Sequence, residues 1–151
     1  MHILFVCSGN TCRSPMAEAL FTAQIKKQKM LSGIVPIARS AGIYALDGSP
    51  ASREAVRVMA EMDIDLRGHR AQQLNDDLIQ WADLILTMTE AHYREIVSQY
   101  GVPAEKIYTL GKFSSIPADI IDPFGSGTDT YRQCAMQIQS MIRVIIKKFI
   151  K

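Results

Sequence analysis

Apolar and polar positions along the chain alternate between strand-like and helix-like patterns. Ile3-Leu4-Phe5-Val6 is an unbroken apolar run and predicts a buried first strand. The chain then passes through Cys7-Ser8-Gly9-Asn10-Thr11-Cys12-Arg13-Ser14 into a helix opened by Pro15-Met16-Ala17-Glu18-Ala19-Leu20, which is expected to fade near Lys29 or Leu31. Gly33 marks a stop, and Ile34-Val35-Pro36-Ile37-Ala38 predicts the second strand, with Pro36 putting it at a sheet edge because proline cannot donate to a central ladder. Residues 42–50, with Gly42, Gly48 and Pro50, predict a loop. Ala55, Val58, Met59 and Met62 then recur at helical spacing, and Leu74, Leu78, Trp81 and Ala82 mark a further helix.

The run Leu84-Ile85-Leu86-Thr87-Met88 predicts a strand covered on both faces. Tyr93, Ile96, Val97 and Tyr100 stripe a helix closed by Gly101 and Pro103, and Ile107-Tyr108-Thr109-Leu110 predicts the fourth strand. From Gly111 to about Thr128 neither period is visible, and long irregular stretches in small domains usually serve function. Tyr131, Cys134, Ala135, Ile138, Met141, Ile142, Ile145, Ile146 and Phe149 then share one face of a final helix. Strand and helix in alternation imply right-handed parallel crossovers, hence an α/β, doubly wound, four-stranded parallel sheet with helices on both faces and flavodoxin-like topology. Ligands of such sheets bind beyond the carboxyl ends of the strands, which is where residues 7–13 lie.

Composition narrows the picture. At 151 residues and 48% apolar content the chain suits a single domain over 1–151. A net charge of +2 without runs of like charge argues against nucleic acid, and no stretch approaches the roughly 18 apolar residues of a membrane span. The chain enters its first strand at once, without a charged leader, and its three cysteines cannot all pair, so a reduced, cytoplasmic protein is expected.

The chemistry-bearing stretch is Cys7 to Arg13. A loop between a strand and a helix turns backbone N–H groups inward over the positive end of the helix dipole and favours an anion. With five residues between them, Cys7 and Arg13 can meet one tetrahedral anion, the arginine by a two-point grip. A thiol so placed is expected below its free pKa of about 8.5, with the Ser14 hydroxyl supporting the sulfur. The same residues also suit other roles: Cys7 and Cys12 as small buried hydrophobes, Ser14 as a helix cap, Cys134 as packing. A zinc site lacks a second ligand pair, and a lipoprotein cleavage site lacks its leader. Departure of a group from phosphorus needs a proton, and Asp119 and Asp122 are the acids on the long irregular segment; Pro123 holds Asp122 extended. An acid that starts protonated and a thiol that starts ionised predict a bell-shaped pH profile.

Val6-Cys7-Ser8-Gly9-Asn10-Thr11-Cys12-Arg13-Ser14-Pro15-Met16-Ala17-Glu18 closely resembles the signature of the low-molecular-weight protein-tyrosine phosphatase family, and Arg39-Ser40-Ala41-Gly42, His69-Arg70-Ala71 and Asp122-Pro123-Phe124 resemble its later landmarks in order. The resemblance implies a phosphocysteine mechanism with Cys7 as nucleophile, Arg13 holding phosphate and Asp122 as general acid. It implies that Ser8, Gly9, Asn10, Thr11, Cys12, Arg13 and Ser14 form the phosphate-binding loop, and that Asn10, Ser14, Ser40 and His69 form a network shaping it. From the residues alone, His69 is better read as packing. Tyr44 and Phe124 resemble walls of the substrate slot, with core aromatics as the alternative, and Cys12 matches a position able to form a protective disulfide with Cys7. Thr11 makes the loop similar to that of bacterial protein arginine phosphatases; tyrosine-directed members usually carry a bulky aliphatic residue there. Protein phosphoarginine is therefore the expected substrate, phosphotyrosine the alternative. A related arsenate reductase needs two further clustered cysteines, a redox sensor has no use for Asp122, and a passive phosphate binder has no use for Cys7. No cofactor or metal is expected, since Arg13 and the amides neutralise the phosphate, and the partners expected of a monomer of this kind are phosphorylated proteins.

Overall fold

The computed structural model describes residues 1–150, and the first apolar run lies inside its sheet. Strand β1 (His2–Cys7) is flanked by β2 (Ile37–Gly42) and β3 (Leu84–Thr87), and β4 (Ile107–Thr109) completes the order β2-β1-β3-β4 with every pair parallel. Ile3, Leu4, Phe5 and Val6 are wholly inaccessible to solvent. Their side chains alternate between two cores. Ile3 and Phe5 pack towards α1 (Arg13–Ile25), α2 (Arg53–Glu61) and α6 (Thr128–Ile146), while Leu4 and Val6 pack towards α3 (Asp76–Trp81) and α4 (Glu90–Tyr100). This is the expected doubly wound sheet with helices on both faces. From β1 the chain crosses to β2 on one side and later returns to β3 on the other, so the carboxyl end of β1 lies at the point where strand order reverses.

Several boundaries differ from those expected, two of them most clearly. The second strand runs over Ile37–Gly42 rather than Ile34–Ala38, because its register follows β1, from His2 opposite Ile37 to Cys7 opposite Gly42. Ile34 and Val35, the most apolar part of the predicted strand, are exposed. The edge position inferred from Pro36 is observed. The first helix ends at Ile25, short of Lys29, since Lys26-Lys27-Gln28 offers no apolar side chain to the core.

Gly101 adopts left-handed geometry and closes α4 as expected. After β4, the short α5 (Leu110–Phe113) precedes the irregular segment, a turn that its four residues were too few to show as a period. The apolar stripe of the last helix is buried through Ile146, and Phe149 packs from the turn beyond it, edge-on to Phe21. Among the described residues no helix is long and apolar enough to cross a membrane.

Candidate active site

Between the end of β1 and the start of α1 the chain reverses in residues 8–12, which requires one left-handed residue. Asn10 takes it, with φ of 55°, a conformation that asparagine tolerates better than most side chains. Its wholly buried side chain holds the loop from inside. Nδ2 donates to Ser14 Oγ at 2.9 Å and Ser40 Oγ at 3.0 Å, and Oδ1 accepts from the Gln72 amide at 2.9 Å. His69 Nε2 donates to the Asn10 carbonyl at 2.7 Å, so its ring holds the loop as well as packing, and burial lowers its pKa. The four residues of the expected network are thus together, joined by Gln72. Asn10 and Ser14 turn their side chains into this network, leaving only their backbone N–H groups for an anion.

Close approach by β2 fixes the loop from its other side. A Cβ on Gly42 would lie 2.5 Å from the Ser8 carbonyl oxygen and 2.9 Å from the Asn10 nitrogen, both backbone atoms that cannot swing away. Gly42→Ala is expected to destabilise the fold by about 1–3 kcal/mol, the usual range for overpacking. Thermal unfolding measures that cost, and a parallel titration with inorganic phosphate should show weakened binding as the loop shifts.

The N-terminus of α1 carries no side-chain cap and no acidic residue in its first turn. Its orphan N–H groups therefore remain free to serve an anion. Cys7 lies at the floor, 3% exposed, with Sγ 2.9 Å from Ser14 Oγ. Burial pushes this thiol up from its ordinary value, opposed by the Ser14 hydroxyl, the Ser14 amide, Arg13 and the Asn10 amide. The expected depression below the free value is corrected accordingly: the donors are present as anticipated, but desolvation, which spacing cannot reveal, outweighs them.

Arg13 is also buried, and its Nη1 donates to the Ile120 carbonyl at 2.9 Å. Nη2 lies 3.6 Å from Asp122 Oδ2, whose carboxyl is half-exposed. The backbone N–H of Phe124 donates to Asp122 Oδ1 at 3.1 Å and sets the acid's direction. Cys7, Arg13 and Asp122 open onto one cleft of about 250 Å³, walled by Ser8, Gly9, Thr11, Cys12, Tyr44 and Phe124. Tyr44 and Phe124 are 70% and 75% exposed, which removes the core alternative for both. Tyr44 reaches across to bond Glu95 of α4. Asp119, the other candidate acid, accepts from the Glu90 amide at 3.0 Å and ties the segment to α4 outside the cleft.

Cys12 Sγ lies behind the loop, 3.2 Å from the Tyr131 hydroxyl and 3.5 Å from Ser52 Oγ. All three cysteines are free thiols, and Cys134 sits in the core with its pKa pushed up to about 12 by burial. Sequence reasoning missed Gln72, Ser52, Tyr131 and His92, each brought to the loop by a distant element. His92 Nε2 lies 2.9 Å from Ser8 Oγ. Only the adjacency of Gln72 to the His69-Arg70-Ala71 landmark offered a signal. Among the described residues no three His, Cys, Asp or Glu side chains gather as they would around a metal ion.

A buried cysteine and arginine at the bare N-terminus of a helix, faced by a carboxyl from the opposite loop, have the make-up that thiol-based phosphoryl transfer requires, on a doubly wound sheet. The family model of the low molecular weight phosphotyrosine protein phosphatases matches residues 2–151, and the chain belongs to that family. It is 38% identical over 152 residues to the protein-arginine-phosphatase of Bacillus subtilis (strain 168), covering 100% of this chain and 98% of that one. The crystal structure of a low molecular weight protein tyrosine phosphatase from T. tengcongensis superposes with a TM-score of 0.91 at 43% identity, covering 98% and 99% of the two chains. The YwlE arginine phosphatase, in a cysteine-to-serine mutant with a phosphorylated active site serine, superposes with a TM-score of 0.91 at 38% identity over 98% and 95%.

Proposed function

We propose that the protein removes phosphate from arginine side chains of proteins through a phosphocysteine intermediate. The convergence of Cys7, Arg13 and Asp122 on one cleft at the uncapped start of α1 carries this reading. Cys7 Sγ attacks phosphorus and an S–P bond forms as the P–N bond breaks. The electron pair goes to the arginine nitrogen, which takes the proton of Asp122. Arg13 and the loop amides hold the phosphoryl oxygens throughout, and their charge and dipoles serve the transition state without a metal. In the second step the Asp122 carboxylate takes a proton from water as that water attacks phosphorus, releasing inorganic phosphate and the Cys7 thiolate. The phosphorylated serine of the YwlE mutant supports a covalent intermediate at this position.

Substrate choice turns on Thr11, which contributes to the cleft wall. A hydroxyl there suits the planar, donor-rich phosphoguanidinium, whereas a phenyl ring prefers an apolar neighbour. Phosphotyrosine is the second reading, favoured by the exposed Tyr44 and Phe124 at the cleft mouth and by the T. tengcongensis relative. Side-by-side kcat/KM values for phosphoarginine and phosphotyrosine peptides decide between them. The wild type is expected to prefer phosphoarginine, and Thr11→Ile to move the ratio towards phosphotyrosine by about 10- to 200-fold, the range for one such change in a pocket. A tyrosine preference untouched by that substitution overturns the arginine assignment. The need for a reduced Cys7 supports action on phosphorylated proteins in a reducing compartment such as the cytoplasm.

A further inference from the structure

Among the described residues, the one buried side-chain nitrogen or oxygen without a hydrogen-bond partner is Nδ1 of His92. The residue is 6% exposed and belongs to the first turn of α4. Its other ring nitrogen meets Ser8 Oγ at 2.9 Å, and Ser8 forms part of the wall of the catalytic cleft.

The orphan nitrogen fixes the direction of that hydrogen bond. A buried N–H without an acceptor is rarer and costlier than an unused lone pair. The ring is neutral near pH 7, its pKa lowered to about 4, first by burial and then by Arg13. A neutral imidazole carries one proton, so that proton belongs on Nε2, where Ser8 Oγ accepts it, and Nδ1 keeps only its lone pair. Ser8 cannot then spend its own proton on His92. Its O–H and its second lone pair are left for the cleft.

We propose that His92 is a positioning residue that fixes Ser8 as a specificity-determining residue, whose hydroxyl meets the N–H groups of the phosphoguanidinium. This rests on the phosphoarginine reading above. A phosphotyrosine ring offers only carbon to the same hydroxyl and gains nothing from it. With Thr11 further along, this loop then contributes two hydroxyl-bearing residues to the cleft wall. A brace that merely ties the loop to α4 makes a different prediction, since weakening it harms every substrate alike.

The test compares kcat/KM for a phosphoarginine peptide with kcat/KM for p-nitrophenyl phosphate in Ser8→Ala, His92→Phe, the double variant and His92→Gln. Each of the first two is expected to lower the arginine-to-aryl ratio by roughly 3- to 10-fold, the value of one hydrogen bond. His92→Phe should add nothing once Ser8 is alanine, and His92→Gln, whose amide can donate to Ser8, should restore much of the ratio. Equal losses on both substrates, an unchanged ratio, or additive losses in the double variant overturn the proposal. So does a 15N spectrum of the His92 ring with its proton on Nδ1. Wild-type preference between phosphoarginine and phosphotyrosine peptides reports separately on the substrate reading, so the two can fail independently.

Discussion

Cys7→Ser is expected to lower phosphate release by at least about 10⁴-fold, the scale of loss when a nucleophile is removed from a site whose other groups remain. A hydroxyl in that position is a poorer nucleophile than a thiol at any accessible pH, and once phosphorylated it is a poorer leaving group. Both effects trace to the strong O–H and O–P bonds. The variant should therefore gain the mass of one phosphoryl group from a reactive substrate and keep it. Intact-protein mass measured alongside phosphate release checks both halves. Residual turnover within 10-fold of wild type removes Cys7 from the mechanism, whatever the fold of its relatives.

For Asp122→Ala, turnover of phosphoarginine should drop by about 10²- to 10⁴-fold, the range for loss of general acid catalysis. The fall with p-nitrophenyl phosphate should be smaller, since a nitrophenolate leaves without taking a proton. Catalysis is separable from folding here. The carboxyl is half-exposed and lies 3.6 Å from Nη2 of the buried Arg13, so its removal should lower the unfolding midpoint modestly, by far less than it lowers turnover. The pH profile carries the sign of the thiol: activity rises with pH as Cys7 ionises, an arm that its burial shifts upward. Asp122→Ala should keep that rising arm. If both substrates slow equally, another group donates the proton.

Much of the site was legible because its chemistry is concentrated in consecutive residues. The loop from Cys7 to Ser14 shows nucleophile, arginine and turn in a single reading, and the apolar runs on either side say what holds its ends. Asp122 was legible only in part: the patternless segment offered Asp119 and Asp122, and the resemblance of Asp122-Pro123-Phe124 to the family's landmark chose between them. The second strand was misplaced because hydrophobicity marks what a central strand buries, and an edge strand takes its limits from its neighbour: Arg39 and Ser40 belong to β2, while Ile34 and Val35 lie outside it. Gln72, Ser52, Tyr131 and His92 were missed because each reaches the loop across a large sequence separation.

By itself the amino-acid sequence determined the layered α/β architecture and the anion-seeking loop with its cysteine and arginine, since periodicity and spacing are local properties, while the choice of Asp122 over Asp119 came from the family resemblance. Only the tertiary structure decided how deeply Cys7 is buried, and hence that desolvation raises its pKa against four favourable contacts. It also decided that His92 stands behind Ser8 with one nitrogen unpartnered. Solvation and long-range hydrogen bonding depend on which distant segments close over a side chain, and no reading of neighbours along the chain contains that information.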